Sequence, residues 1–199
     1  DETTQMGISC WVAHKALWSP QNTAIRFQGQ TITYARFEKR VAHLAGYLRD
    51  ACGVREGGRV AYLGANAPEI LDLLFACSRL GAIFVPLNSR LTPPQLRVMI
   101  ENADPRCLFA GRGFEELAHA AWTGPFAEPL RCFGPGGLSV DDLVGASAPV
   151  DCNPNRNQHV PALIAYTSGT TGTPKGAVFT QDALTFSAIN SNNVWNMRG

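Results

Sequence analysis

The clearest chemical signal in the sequence is a segment rich in hydroxyls and glycines, residues 167–176. It contains five hydroxyl side chains, three glycines and one lysine, in the order Thr-Ser-Gly-Thr-Thr-Gly-Thr-Pro-Lys-Gly. Glycines allow successive backbone N–H groups to converge on an anion, and Ser and Thr hydroxyls add further donors. Lys175 supplies a positive charge that can lie over a polyphosphate. The segment therefore predicts a phosphate-binding loop.

Two common nucleotide-binding patterns do not fit this chain. The pattern G-x-x-x-x-G-K-S/T needs a glycine before the lysine and a hydroxyl after it, whereas Pro174 precedes Lys175 and Gly176 follows it. Residues 111–113 begin a G-x-G-x-x-G pattern, but Glu116 stands at its last glycine position. An ordinary flexible loop at residues 167–176 stays an alternative, since Gly and Thr are common in turns.

Charge and hydropathy exclude several classes of partner. Seventeen basic and sixteen acidic residues give a net charge of +1, so no overall field would attract nucleic acid or an anionic membrane. The longest apolar stretch, Leu71 to Leu87, is broken by Asp72, Arg79 and Pro86, which predicts no transmembrane segment. Only 17% of the residues are charged, against roughly 25% in an average soluble domain, which suggests that further protein covers part of the surface.

Cysteine and histidine usage indicates no metal site. The six cysteines form no C-x-x-C pair that would indicate a metal site. Their even number would allow three disulfides, but Cys77 and Cys107 lie in apolar segments and no signal peptide is apparent, which favours reduced thiols in a cytoplasmic protein. His14, His43, His119 and His159 lie far apart, so surface or packing roles are expected for them. The pair Asp141-Asp142 is typical of the first turn of a helix, with a metal site as the alternative.

Strands and helices alternate along the chain, which predicts an α/β fold with a layered sheet covered by helices on both faces. Residues 134–137 and 145–157 are expected to be loops or a linker. The predicted strands are Thr23–Phe27, Thr31–Thr33, Arg59–Leu63, Ala82–Pro86, Arg106–Ala110 and Leu163–Tyr166. The predicted helices are Ile8–Trp18, Tyr34–Arg49, one from Pro68 to a stop at Gly81, one from Pro93 through Ile100, and Phe114–Trp122.

Three segments carry a resemblance to a known family. Residues 166–178 resemble the signature phosphate loop of the adenylate-forming enzymes, which include acyl-CoA synthetases, luciferases and peptide-synthetase adenylation domains. Residues 32–37 resemble the family's early strand-to-helix entry, and residues 78–88 its second core motif. The resemblance covers the chain from about Trp11 to Trp195 and implies the first part of the large N-terminal domain of such an enzyme.

The resemblance also implies an organisation and a reaction. Residues 1–150 would form a first α/β subdomain, and residues 151–199 a linker, the phosphate-loop hairpin and a following helix that begin a second subdomain. The C-terminal remainder and the small lid domain are not in this chain. The parent enzyme would join a small carboxylic acid to ATP, with Mg²⁺, release pyrophosphate, and pass the acyl group to coenzyme A.

Specific residues follow from the resemblance by position. Lys175, Thr170 and Thr171 are the candidate catalytic residues. The candidate phosphate-binding residues are Thr167, Ser168, Gly169, Thr170, Thr171, Gly172 and Lys175.

Residues 91–96 favour an acyl-CoA synthetase, active for example in fatty acid metabolism. A peptide-synthetase-type adenylation domain and a non-catalytic phosphate-binding or interaction module are the alternatives. The fragment alone is expected to be inactive, and a homodimer is left open.

The residues after the loop depart from the family's usual pattern. Gln181 stands where the family often has histidine, and the simplest expectation for it is a solvated residue in the first turn of a helix. Phe186, Ile189 and Trp195 recur at helical spacing, which is typical of helix packing in a core and also compatible with an acyl pocket.

Overall fold

The computed structural model describes residues 7–123, 130–167 and 174–195. Its helices are α1 (Ile8–Trp18), α2 (Tyr34–Asp50), α3 (Pro68–Leu80), α4 (Pro93–Ala103), α5 (Glu115–Ala121), α6 (Val140–Leu143) and α7 (Gln181–Trp195). Its strands are β1 (Thr23–Phe27), β2 (Gln30–Thr33), β3 (Arg59–Leu63), β4 (Ile83–Leu87), β5 (Cys107–Ala110), β6 (Leu130–Cys132), β7 (Pro161–Thr167) and β8 (Lys175–Thr180). In the part of the chain described, no helix is both long and apolar enough to cross a membrane.

A six-stranded sheet forms the centre of the molecule, in the order β6-β5-β3-β4-β7-β8. The first five strands in this order run parallel, and β8 is antiparallel to β7. Strands β1 and β2 form a separate antiparallel hairpin. The expected α/β fold with a helix-covered sheet is therefore confirmed.

The two faces of the sheet bury separate apolar layers because alternate residues of a strand point to opposite faces. On one face, Tyr62 and Phe109 pack with residues of α2 and α3. On the other face, Leu63 and Leu108 pack with residues of α4 and α5. The helix that follows β3 thus lies on the opposite face from the helices that follow β4 and β5.

Local signals place most of the helix ends where the sequence predicts them. The Thr33 hydroxyl accepts a hydrogen bond from the Arg36 N–H at 3.3 Å at the start of α2. Gly81 ends α3 with a φ of 71°, in the left-handed region that favours glycine. At the start of α4 the Thr92 N–H donates to Gln95 Oε1 at 3.0 Å, as in a capping box. The predicted helices and strands are confirmed, with ends shifted by at most a few residues.

Strand β6 was not among the predicted elements. It contains only Leu130–Cys132, and all three residues are half-buried. It pairs in parallel with β5, where Leu108 lies opposite Leu130. A strand this short has too few residues to establish an alternating pattern, so its pairing with β5 determines it.

The β7–β8 hairpin joins the rest of the sheet along a sparse ladder. Only the pair Phe84 and Leu163 connects β4 to β7, whereas β7 and β8 pair along most of their length. Pro86, two residues beyond Phe84, has no N–H to give to a neighbouring strand. The hairpin is therefore tied to β4 by few backbone hydrogen bonds. A subdomain boundary near residue 150 stays a prediction.

Ion pairs connect the helices on the face that carries α2 and α3. The Arg40 guanidinium donates to both carboxylate oxygens of Asp72, from Nε at 3.1 Å and from Nη2 at 2.5 Å. Asp141 accepts from Arg40 Nη1 at 2.6 Å and from Arg36 Nη2 at 2.8 Å. The pair Asp141-Asp142 lies in the first turn of the short helix α6, as predicted. The Asp141 carboxylate binds the two arginines of α2. The charges of Arg36 and Arg40 lower the pKa of Asp141, although its partial burial acts in the opposite direction.

All six cysteines are free thiols. The Cys10 thiol lies in hydrogen-bond contact with Cys152, and burial raises the pKa of Cys10 to about 12. Cys10 is therefore protonated at neutral pH, and it contributes to the fold as a small buried side chain.

Candidate phosphate-binding site

The candidate site lies at the end of the β7–β8 hairpin. Thr167 is the last residue of β7 and Lys175 the first of β8, and the two are directly opposite each other in the antiparallel ladder. Both side chains are exposed. The end of β7 is the carboxyl edge of the parallel strands, which is where open α/β sheets bind ligands.

Lys175 is a free cation within the described part of the chain. Its side-chain ammonium forms no ion pair or hydrogen bond there. Thr167, which lies opposite Lys175 in the ladder, presents a hydroxyl at the same edge. Pro174, directly before it, is half-buried and has its φ fixed by its ring. This lysine can therefore approach an anion bound beyond the strand ends.

The remaining predicted phosphate ligands, Ser168, Gly169, Thr170, Thr171 and Gly172, lie outside the described residues. Their contacts with a nucleotide stay predictions, as do those of Thr167 and Lys175.

The strand that leads into the loop is held by a tyrosine that the sequence analysis did not assign. Tyr166 Oη donates to Asn102 Oδ1 at 2.7 Å and lies 3.2 Å from the Met99 carbonyl oxygen. Partial burial raises the pKa of Tyr166, which keeps the phenol neutral. Because α4 carries Asn102 and Met99, this contact fixes the last residues of β7 against that helix.

Strand β4 brings a second polar segment to the same edge. Phe84 of β4 pairs in parallel with Leu163 of β7, so the segment after β4, which begins with Asn88, leaves the sheet at the same edge as Thr167. The Asn88 side chain accepts from the Arg90 N–H at 3.0 Å and so turns the chain at this point. Arg90 is exposed and its side chain has no ion pair in the part of the chain described. It is an exposed cation in the segment that leaves the sheet at this edge.

The expectation for Gln181 is wrong. Its side chain is fully buried, and Nε2 donates to the Ser78 carbonyl oxygen at 3.1 Å. Its backbone N–H also donates to the Val160 carbonyl oxygen at 3.1 Å. Gln181 therefore anchors the first turn of α7 against the C-terminal end of α3. A contact with a residue 103 positions away leaves no sign in the local pattern.

Core packing is also the wrong explanation for Phe186, since 57% of this residue is exposed. The side chain of Trp195 lies outside the described part of the structure, and Ile189 is half-buried. Whether these residues line an acyl pocket stays a prediction.

His159 forms a contact with a carboxylate that sequence spacing did not indicate. Its Nδ1 lies 2.8 Å from Asp182 Oδ2, and the Thr180 hydroxyl donates to the other carboxylate oxygen. The His159 side chain is 83% exposed. These residues lie where β8 ends and β7 begins, at the edge of the sheet opposite the candidate site.

Comparison with known proteins identifies the family to which this chain belongs. Residues 12–198 match the AMP-binding enzyme family, so the chain belongs to that family. The predicted membership of the adenylate-forming enzymes is thereby confirmed.

Three individual proteins illustrate what the chain is similar to. The chain is 40% identical over 195 residues to an indoleacetate–CoA ligase of Aromatoleum aromaticum, which covers 94% of this chain and 37% of that enzyme. It is also 40% identical to a feruloyl-CoA synthase of an Amycolatopsis species, over 92% of this chain and 35% of that enzyme. The crystal structure of VinN superposes with a TM-score of 0.84 at 25% identity, over 97% of this chain and 48% of VinN. The chain thus spans a little over a third of these two ligases.

Proposed function

We propose that this chain is the amino-terminal part of an ATP-dependent acyl-CoA synthetase. The parent enzyme would join a carboxylic acid to the α-phosphate of ATP and then transfer the acyl group to coenzyme A. The observation that carries the proposal is the placement of Thr167 and the unpaired Lys175 at the carboxyl edge of the sheet, in a chain of the AMP-binding family. The names of its ligase relatives support the choice of coenzyme A as acceptor.

The residues present suit a polyphosphate. An exposed ammonium and a hydroxyl flank the loop, and no ion pair within the described ranges neutralises the Lys175 ammonium. Lys175 would attract the phosphates and stabilise the negative charge that builds up on the departing pyrophosphate. Thr167, with Thr170 and Thr171 in the loop, would donate hydrogen bonds to phosphate oxygens. Mg²⁺ would be bound with the phosphates and neutralise part of their charge.

The reaction needs this electrostatic help more than it needs acid–base catalysis. A free carboxylate is a poor acyl donor because its leaving group would be oxide, whereas the mixed anhydride with AMP has a stable leaving group. The carboxylate oxygen forms a bond to the α-phosphorus while the bond to pyrophosphate breaks. Pre-positioned positive charge at that bond lowers the barrier without any proton transfer.

We further propose an aryl-bearing acid as the substrate and the cytoplasm as the site of the reaction. The two ligases compared above, each 40% identical to this chain, are named for such acids, indoleacetate and ferulate. ATP, coenzyme A and reduced thiols such as those of this chain are all typical of the cytoplasm. The chain alone would be inactive, because it spans only 35 to 37% of these ligases.

The test is pyrophosphate exchange by the full-length protein that contains this chain, with Lys175→Ala as the variant. Loss of a charge-stabilising donor is expected to lower kcat/KM by about 10²–10³-fold. Lys39→Ala is the matched control, because Lys39 is an exposed lysine on α2 with no side-chain partner in the described residues. Equal activity of the two variants would refute the role of Lys175.

The acceptor distinguishes the alternative functions. Thioester formation with free coenzyme A is expected. Transfer only to a carrier-protein thiol would indicate a peptide-synthetase-type adenylation domain, and no acyl-adenylate from the full-length protein with any carboxylic acid would indicate a non-catalytic phosphate-binding module.

A further inference from the structure

A second crevice opens at the carboxyl edge of the sheet, between the ends of β3 and β5. The chain leaves β3 toward α3 on one face and leaves β5 toward α5 on the other face, so the two connections diverge. Adjacent parallel strands whose connections diverge in this way form the crevice in which open α/β sheets bind ligands. Strand β4 separates this crevice from the phosphate-loop hairpin in the order of the sheet.

The crevice is large enough for a small molecule. Its volume is about 340 Å³, within the range of about 300–1,000 Å³ that is usual for ligand pockets. Its walls come from three connections, after β3, β5 and β6, and the turn of the β1–β2 hairpin closes one side. Phe27 and Phe133 give this space an apolar part, and Gln28 and Asn66 contribute amides.

Two glycines, Gly64 and Gly111, lie where the ends of β3 and β5 meet beside the crevice. A Cβ atom at Gly64 would lie 2.5 Å from Tyr62 Oη and 3.0 Å from the Cα of Gly111. A Cβ atom at Gly111 would lie 2.5 Å from the same hydroxyl. Any side chain at either position would displace Tyr62, whose hydroxyl donates to the Ala65 carbonyl oxygen at 3.0 Å. Glycine at both positions therefore lets the ends of β3 and β5 lie close together, with Gly111 in the wall of the crevice.

Two opposite charges face this space without neutralising each other. Glu69, after β3, is half-buried and forms no hydrogen bond or ion pair with the described residues. Arg112, after β5, likewise forms none, although its charge lowers the pKa of Glu115, a carboxylate that already accepts from the Gly113 N–H. The charge of Arg40 acts on Glu69, whose carboxylate helps to raise the Arg40 pKa, but Arg40 itself is bound to Asp72 and Asp141. The Glu69 carboxylate therefore keeps its hydrogen-bonding positions free of the described residues, so the arrangement favours a ligand that supplies a cation to Glu69 and an anion to Arg112.

We infer that this crevice binds a small zwitterion of the α-amino acid class with an apolar side chain. The ligand's ammonium would pair with Glu69 and its carboxylate with Arg112, and its side chain would pack against Phe27 and Phe133. The inference does not depend on the proposed function, because it uses neither Lys175 nor the phosphate loop. It assigns the full-length protein a second small-molecule site, distinct from the place where ATP would bind.

Calorimetric titration of the full-length protein with L-phenylalanine tests this site. Saturable binding is expected, with a Kd between about 10 μM and 1 mM. Arg112→Ala and Glu69→Gln should each weaken binding at least about tenfold, the effect of losing one charged contact. Arg26→Ala and Glu116→Gln are the matched controls, because both residues are exposed and lie outside the crevice, and they should leave the Kd unchanged.

Two further measurements locate the ligand and define its class. Hydrogen exchange of residues 64–67 and 111–113 should slow when L-phenylalanine binds. Phenethylamine and 3-phenylpropionate, which each lack one of the two charges, should bind there at least about tenfold more weakly. The inference is overturned by absence of saturable L-phenylalanine binding at millimolar concentrations, by an unchanged Kd in the two crevice variants, or by equal protection of these residues with either analogue. The far-ultraviolet circular dichroism and the thermal midpoint of each variant report whether it has folded, independently of any activity.

Discussion

Removing either partner of the buried Arg40–Asp72 pair should destabilise the face of the sheet that carries α2 and α3, but by different amounts. The Arg40 side chain is 5% exposed and that of Asp72 is fully buried. Asp72 accepts two hydrogen bonds from Arg40, and no other bond to its carboxylate is found in the described residues. Arg40, by contrast, also donates to Asp141, whose side chain is 41% exposed.

Because Arg40 has a second partner among the described residues and Asp72 has none there, the two single variants should lose different amounts of stability. Breaking a buried ion pair from one side costs about 3–5 kcal/mol, because it leaves a buried charge without a partner. Arg40→Ala leaves Asp72 with none, so a loss of about 5 kcal/mol is expected. Asp72→Ala leaves Arg40 bound to Asp141, so a loss of about 3 kcal/mol is expected. The double variant Arg40→Met with Asp72→Leu removes both charges and should lie within about 1 kcal/mol of the wild type.

Native-state hydrogen exchange of the full-length protein measures these differences, because it reports the opening free energy of the buried amides in α2 and α3. The reasoning is refuted if Asp72→Ala destabilises these helices more than Arg40→Ala does. It is refuted equally if the double variant is as unstable as the worse single variant, since the cost would then come from lost packing and not from an unpaired charge.

Three further changes have clear expected outcomes. Gly46→Ala would place a Cβ atom 1.8 Å from the Ala148 carbonyl oxygen, so it should lower stability by more than about 2 kcal/mol, measured as the urea midpoint at unchanged slope. Thr33→Ala removes the hydrogen bond to the Arg36 N–H at the start of α2 and should cost about 1 kcal/mol, measured in the same way. Asp141→Asn should flatten the loss of stability in acid: the folded-state pKa of Asp141 is lowered, so its contribution is present above the unfolded pKa of about 3.9 and is lost as pH falls through the folded pKa.

Each of these changes has a matched control. For Gly46→Ala the control is Gly57→Ala, which introduces a methyl group with no atom within 4 Å. Any loss of stability there comes from the φ of 74° at Gly57 and should be about 1 kcal/mol. Thr33→Ser keeps the capping oxygen and should retain most of the stability. Asp142→Asn changes the neighbouring carboxylate, which has no ion pair with the described residues, and should leave the acid transition as it is. If a control variant changes the stability as much as the variant it is paired with, the reason given for that variant is wrong.

The sequence predicted the elements of this fold where a local signal defines them. Thr33, Gly81 and Thr92 mark helix ends through bonds or conformations confined to a few neighbouring residues. Alternating and helical apolar spacing similarly defines the long strands and helices, because burial on one face is a local property of the pattern. The membership of the family was predicted from three short segments, residues 32–37, 78–88 and 166–178, of which the last contains the phosphate loop.

The remaining features depend on residues that are distant in the sequence. Gln181 is buried because it reaches Ser78 across 103 positions, and Asp141 binds arginines about 100 positions away on α2. The contact of Tyr166 with Asn102, which positions the candidate site, likewise joins two separate elements. Such contacts are determined only when the sheet order is known, and composition and periodicity do not specify that order.

The sparse ladder at Pro86 has a mechanical consequence for the candidate site. The β7–β8 hairpin holds Thr167 and Lys175 rigidly relative to each other, because its two strands pair along most of their length. The hairpin pairs with β4 at one position only. Side-chain contacts, such as the hydrogen bond from the Tyr166 hydroxyl to Asn102 of α4, therefore determine the angle of the hairpin to the sheet. Any shift of the hairpin relative to the sheet would therefore move Thr167 and Lys175 together.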